Sequence, residues 1–175
     1  MNELIDLMNE GISGIVLDLR GNGGGYLEEA AKFLGHFIPK GEVVVKSEYL
    51  AFDPIILLSE GRGELANFPL VVIVDQLTAS AGEIIALSLQ ERGVPVIGMP
   101  SFGKGSIQSF TELPDGSSLK YTIGKWYSPQ GTSIDEVGIN PDIELQRDYE
   151  TYQLSGIDNQ LEKAKKVLTT LIEQR

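Results

Sequence analysis

Three stretches of this sequence carry residues whose types and spacing could do chemistry. They are a glycine-rich turn, Gly21-Asn22-Gly23-Gly24-Gly25; a serine among small neighbours, Ala79-Ser80-Ala81-Gly82; and a lysine between two glycines, Phe102-Gly103-Lys104-Gly105. The backbone N–H groups of a glycine turn between a strand and a helix can be aimed at an anion, either a phosphate or the oxyanion of a tetrahedral intermediate. A plain tight turn accounts for the glycines equally well. The dinucleotide pattern G-x-G-x-x-G fails because its third position falls on Tyr26, and the P-loop pattern fails because no Gly-Lys-Ser/Thr follows. Ser80 falls at a strand-to-helix junction, where a helix dipole could support developing negative charge. Ser80-Ala81-Gly82-Glu83 also fits the S-x-x-E capping box, so a simple helix cap competes with a nucleophile.

A serine nucleophile needs a base, and the usual partner is histidine. The one histidine, His36, sits in the apolar run Ala31-Lys32-Phe33-Leu34-Gly35-His36-Phe37 and reads as a packing residue. The nucleophile elbow G-x-S-x-G is absent. Lys104 is then the candidate base. A lysine ordinarily titrates near about 10.4 and serves as a base only where burial among apolar groups makes the neutral amine accessible. Ile97, Met99, Phe102 and Ile107 are compatible with such a setting. The competing reading is an exposed lysine on a glycine loop. Ser101-Phe102-Gly103-Lys104 matches the S-x-x-K signature of penicillin-binding enzymes, but that motif opens a helix. Pro100, Gly103 and Gly105 argue for a loop, and the companion S-D-N and K-T-G motifs are missing, so the match is a coincidence. With no cysteine, no H-E-x-x-H and only scattered acids, neither a metal nor another cofactor is expected.

These residues must be positioned by elements. Leu4, Ile5, Leu7 and Met8 fit one face of a short helix ending near Gly11. Residues 14–19, 70–74 and 94–98 are compact apolar runs that read as buried strands. Residues 43–45 and 55–59 read as further strands, and residues 27–38 and 80–92 as helices. The alternation predicts crossover units: an α/β fold with a mostly parallel central sheet. From Ile107 the pattern changes to a β-hairpin turning at Asp115-Gly116, then a loop-rich stretch over 131–142. Residues 158–173 place Leu161, Ala164, Val167, Leu168, Leu171 and Ile172 at helical spacing, which predicts a terminal amphipathic helix.

Composition narrows the function classes. A chain of 175 residues is long enough for one domain with one sizeable core. A formal net charge of −11 argues against a nucleic-acid footprint and disfavours anionic membrane surfaces. No run of about 18 apolar residues exists to span a bilayer. Residues 1–10 lack the basic and apolar regions of a signal peptide, which implies a cytosolic protein or a sequence that begins inside a longer precursor.

Taken together the segments resemble the C-terminal processing (tail-specific) peptidases. The resemblance rests on residues 14–25, 78–83 and 102–108, in the family's order, with Ser80 and Lys104 24 positions apart. Further matches are Pro114-Asp115-Gly116, residues 138–142 and residues 158–164, so it covers nearly the whole chain. It implies a crotonase/ClpP-like core followed by the hairpin and terminal helix. It implies Ser80 as nucleophile, Lys104 as general base and Gln108 as the residue that hydrogen-bonds that lysine. The N–H of Ala81, with that of Gly24 or Gly25, would form the oxyanion hole. Asp18 and Arg20 would hold the glycine loop. The implied reaction is peptide-bond hydrolysis through an acyl-enzyme, with unfolded or tagged protein tails as substrates, outside the cytoplasm. The family's export signal and PDZ domain are not in the sequence, so residues 1–175 are expected to be a peptidase core alone; any membrane proximity would come from those parts. The oligomeric state is not legible. Two other readings compete: an inactive binding or scaffold module on the same fold, and a crotonase-type acyl-CoA enzyme, which does not need Ser80 and Lys104 together.

Overall fold

The computed structural model describes residues 10–175. The helix expected over Leu4 to Met8 lies outside them. Twelve elements follow in order: β1 (Ile15–Asp18), α1 (Leu27–Leu34), β2 (Val43–Tyr49), β3 (Ile55–Leu58), β4 (Leu70–Val74), α2 (Ala81–Gln90), β5 (Val96–Gly98), β6 (Ser106–Glu112), β7 (Ser118–Tyr127), β8 (Ile143–Glu144), α3 (Tyr149–Ser155) and α4 (Asn159–Glu173).

The apolar runs form the expected parallel sheet. Its order is β1-β4-β5-β8, with every pairing parallel. β4 is buried along its whole length, as a continuous Leu-Val-Val-Ile-Val run requires. One face of β4, through Val71 and Ile73, packs with Ile97 against Ala164 and Leu168 of α4. The other, through Leu70, Val72 and Val74, packs with Leu34 of α1, Ile84 and Leu87 of α2, and Val44 and Trp126 from the remaining strands. Period-two alternation along β4 thus feeds two cores at once.

The remaining expected strands and the hairpin also form, in a second sheet. β2 and β3 do not join the central sheet, and the hairpin is not an appendage. They form one antiparallel sheet of order β3-β2-β7-β6. The reason is chemical: beyond Val45 the second strand continues through Lys46, Ser47 and Glu48, a polar run that fits a half-exposed sheet rather than a parallel core. α1 and α2 pack against β2, so these helices lie between the two sheets. α1 is also shorter than expected. It ends at Leu34, and at the next residue Gly35 packs against Gly61, where a Cβ would stand 3.0 Å from the Gly61 Cα. α3, where no element was expected, is a short helix capped by Asp148 and closed by Gly156 at φ 72°.

Candidate active site

The glycine turn leaves β1 and the serine turn leaves the adjacent parallel strand β4, so both emerge at the same sheet end. Hydrogen bonds lock them together. Gly21 N–H donates to Asp75 Oδ1 at 2.9 Å, Thr78 Oγ1 donates to the Leu19 carbonyl at 2.9 Å, and Ala79 N–H donates to the Asn22 carbonyl at 2.9 Å. Gly24 has φ 99°, and a Cβ there would stand 2.8 Å from Ser80 Cβ and 2.9 Å from Ala81 N. Only glycine permits that approach.

Ser80 precedes the first residue of α2 with φ 54° and ψ −119°. An ordinary N-cap sits in the extended region with negative φ. A non-glycine residue in this conformation is strained by about 1–3 kcal/mol, and such strain concentrates at functional sites. A cap alone does not need it, although the capping box is also formed.

The Glu83 half of the capping box does more than cap. Its side chain is fully buried, 0% exposed. Glu83 Oε2 accepts from Ser80 N–H at 2.8 Å and from Lys104 N–H at 2.9 Å. Glu83 Oε1 accepts from Ser101 Oγ at 2.5 Å and Gly103 N–H at 2.7 Å. One carboxylate therefore fixes the serine turn and the lysine loop to each other. Ser101, whose S-x-x-K match is a coincidence, is a buried link in this clamp, since its Oγ also accepts from Ile139 N–H at 2.7 Å. The sequence marked Glu83 only as a helix cap; the same S-x-x-E spacing was the one available signal of its position.

Lys104 is half-buried on its loop. Trp126 Nε1 donates to its carbonyl at 2.9 Å, and the flanking glycines press on the loop over 134–138. A Cβ on Gly105 would stand 2.7 Å from Asp135 Cβ. No salt bridge engages Lys104 among the described residues, although the chain is strongly acidic. Of its four foreseen apolar neighbours only Ile107 lines its cleft. Ile97 faces the opposite core, Met99 lies elsewhere, and Phe102 is 64% exposed.

Ser80, Lys104 and Gln108 line one cleft of about 320 Å³, with Gly25 and Ala81 at its rim and Ile84, Phe110 and Trp126 among its walls. Gln108 Nε2 donates to Ser106 Oγ at 3.1 Å and to Thr122 Oγ1 at 2.8 Å, and its Oε1 has no hydrogen-bond partner among the described residues. Gly24 N–H donates to Asn22 Oδ1 at 2.9 Å. The N–H groups of Gly25 and Ala81 have no acceptor among the described residues. A second, apolar cleft of about 390 Å³, walled by Leu17, Phe33 and Ile85, opens on the other side of Gly25 and Ala81. A larger cavity of about 480 Å³ lies beside Leu57 and Leu58 and holds His36, which pairs with Glu64 and not with any serine. Neither Ser80 nor Lys104 lines it.

Arg20 fastens the glycine loop from behind. Its guanidinium contacts Asp18 at 2.6 Å and Asp158, the N-cap of α4, at 2.8 Å, and donates to Gln160 Oε1 at 2.9 Å. The hydrogen bonds it donates to Asp18 hold the arginine above its usual range, against burial. Burial pushes the Asp158 carboxyl up, but the Leu161 N–H and the Arg20 and Arg147 charges outweigh it and hold the group below the usual carboxylate range. The holding role expected of Asp18 and Arg20 is thus a strap between the loop and α4.

Ser80, with its positive φ, and the half-buried Lys104 share a cleft with free backbone donors at its rim, and comparison with known proteins identifies the family. Residues 1–145 match the family described as "Peptidase family S41", and the chain belongs to that family. It is 36% identical over 183 aligned positions to the carboxy-terminal processing protease CtpA of Bacillus subtilis (strain 168), covering 98% of this chain and 39% of that protein. CtpB of the same organism is 37% identical over 158 positions, covering 83% and 31%. The solved structure titled photosystem II D1 C-terminal processing protease superposes with a TM-score of 0.70 at 32% identity, over 82% of this chain and 37% of that one. The chain therefore spans less than half the length of these relatives. None of the described helices is long and apolar enough to cross a membrane.

Proposed function

We propose that this chain is the catalytic core of a serine endopeptidase that cuts the C-terminal tails of unfolded or tagged proteins outside the cytoplasm. The observation that carries the reading is the positive φ of Ser80 at the mouth of the cleft that Lys104 also lines. Ser80 Oγ attacks the scissile carbonyl and its proton passes to the Lys104 amine, oriented by Gln108 Oε1. The N–H groups of Gly25 and Ala81 receive the oxyanion. Because the Gly24 N–H already binds Asn22, Gly25 is the glycine that serves. Lys104 returns the proton to the leaving amine, and an acyl-enzyme remains on Ser80. Water, losing a proton to Lys104, then attacks the ester; the tetrahedral intermediate collapses, Ser80 Oγ departs and takes the proton back from Lys104, and the product acid leaves and ionises to the carboxylate. The tail preference follows the names of the relatives, which are carboxy-terminal processing proteases. Their chloroplastic counterpart from Tetradesmus obliquus favours an address outside the cytoplasm.

The test is cleavage of an unfolded protein with an apolar C-terminus by the chain and by its Ser80→Ala and Lys104→Ala variants. Cleavage by the parent and by neither variant is expected. Retained cleavage in Lys104→Ala would sink the dyad.

A further inference from the structure

β6 is the outer strand of the antiparallel sheet, paired on one side only, with β7. Its hydrogen-bond pattern can be read from its two ends. At the hairpin, Leu113 N–H donates to the Ser117 carbonyl at 2.8 Å. At the lysine end, Trp126 N–H donates to the Gly105 carbonyl at 2.9 Å. Bonded pairs alternate in an antiparallel ladder. In the observed register Thr111, Ser109 and Ile107 therefore bond to β7, while the N–H and C=O groups of Ser106, Gln108, Phe110 and Glu112 point away from it. None of those outward backbone groups has a partner among the described residues. The strand, Ser-Ile-Gln-Ser-Phe-Thr-Glu, has no proline or lysine, the residues that ordinarily blunt an edge. A register shift at Ile107/Gln108 is its one irregularity.

This edge starts two residues after Lys104, and its Ser106, Gln108 and Phe110 line the same cleft as Ser80. Seven residues of strand give about 20 Å of main-chain donors and acceptors running out of the cleft. We infer that β6 takes the substrate as an added strand: an extended polypeptide pairs with its free edge as the fifth strand of the sheet, and this pairing lays the scissile bond across Ser80. The inference rests on the peptidase reading and adds the form in which substrate is held. Main-chain pairing selects conformation before sequence, so unfolded segments of varied sequence fit and helical ones do not. A substrate residue that lacks an N–H, proline above all, is rejected at alternate positions only.

The test uses the full chain as Ser80→Ala, saturated with an unstructured decapeptide rich in valine and alanine, and reads backbone amide exchange residue by residue. Exchange at Ser106, Gln108, Phe110 and Glu112 should slow by at least about tenfold, while Ile107, Ser109 and Thr111, already bonded, change by less than about twofold. Phe110→Pro removes an N–H that no partner in the fold uses, and should weaken peptide binding by about tenfold. Phe110→Val, which also shortens the side chain in the cleft but keeps that N–H, is the reference against which this loss is measured. No binding, or binding without slowed exchange at the four outward amides, overturns the inference. Cleavage by the parent chain without such protection refutes strand addition and leaves the peptidase reading intact. Protection without cleavage by the parent does the reverse.

Discussion

Replacing Glu83 by glutamine should separate a structural cap from a clamp on the site. The two carboxylate oxygens receive four donors: the N–H groups of Ser80, Gly103 and Lys104 and the hydroxyl of Ser101. Glutamine turns one oxygen into a donor. If the amide nitrogen takes the Oε2 place, it faces the N–H groups of both Ser80 and Lys104. In the Oε1 place it faces Gly103 N–H and a serine hydroxyl that already accepts from Ile139 N–H. Either way at least one buried N–H loses its acceptor at about 1–3 kcal/mol, and a donor is pressed against a donor. The expected loss is about 2–4 kcal/mol, a large share of the roughly 5–15 kcal/mol that holds a domain together. With a urea slope of about 1–3 kcal/mol per molar, the midpoint should drop by about 1–2 M. Trp126 is the single tryptophan, and its indole bonds the Lys104 carbonyl, so its fluorescence reports on this loop during the titration. Cleavage should fall at least about a hundredfold, since displacement of reacting groups by an ångström carries that penalty. A glutamine variant with an unmoved midpoint and parental cleavage would refute the clamp.

Three further outcomes are expected. Gly24→Ala, which forces a Cβ to 2.8 Å from Ala79 O and Ser80 Cβ, should reduce cleavage more than tenfold by displacing the serine, whereas Gly23→Ala, with open space around it, should not; equal cleavage by both would contradict the close approach. Ser80→Gly should unfold at a higher urea concentration than Ser80→Ala by about 1 kcal/mol, because glycine tolerates φ 54° without strain; an alanine variant at least as stable would show that no strain is stored there. Asp158 is held below the usual carboxylate range in the fold, so its stabilising contribution is present above about pH 4 and is lost as pH falls through the lower folded value. The urea midpoint should therefore decline between pH 5 and pH 3, and less steeply in Asp158→Asn; parallel curves would remove Arg20 and Asp158 from the account of acid sensitivity.

What the sequence disclosed and what it hid have physical causes. β4 and β5 were legible because a strand buried on both faces must be apolar at every position, and few other elements look like that; β1, the half-buried edge strand, was legible by its apolar run through Leu17. Ser80 and Lys104 stood out through their small neighbours, which mark places where backbones approach. The antiparallel sheet was hidden because β2 pairs with β7, about 80 residues further along, and its polar outer half carries no local mark of that partner. α3 was invisible to apolar periodicity since it buries no residue; Asp148 and Gly156 cap it instead. The clamp escaped notice because S-x-x-E is satisfied by a cap alone, and nothing in a one-dimensional pattern reveals that the same carboxylate meets a loop 21 positions away.

The clamp also has a consequence for timing. A chain emerging in order has Ser80 and Glu83 long before it has Lys104, and Ser101 before the Ile139 N–H that steadies it. Ser80 is thus present early with its lysine loop unheld. The clamp is complete only when residues on both sides of a long hairpin have come together, so its assembly waits on the topology rather than on the order of synthesis alone.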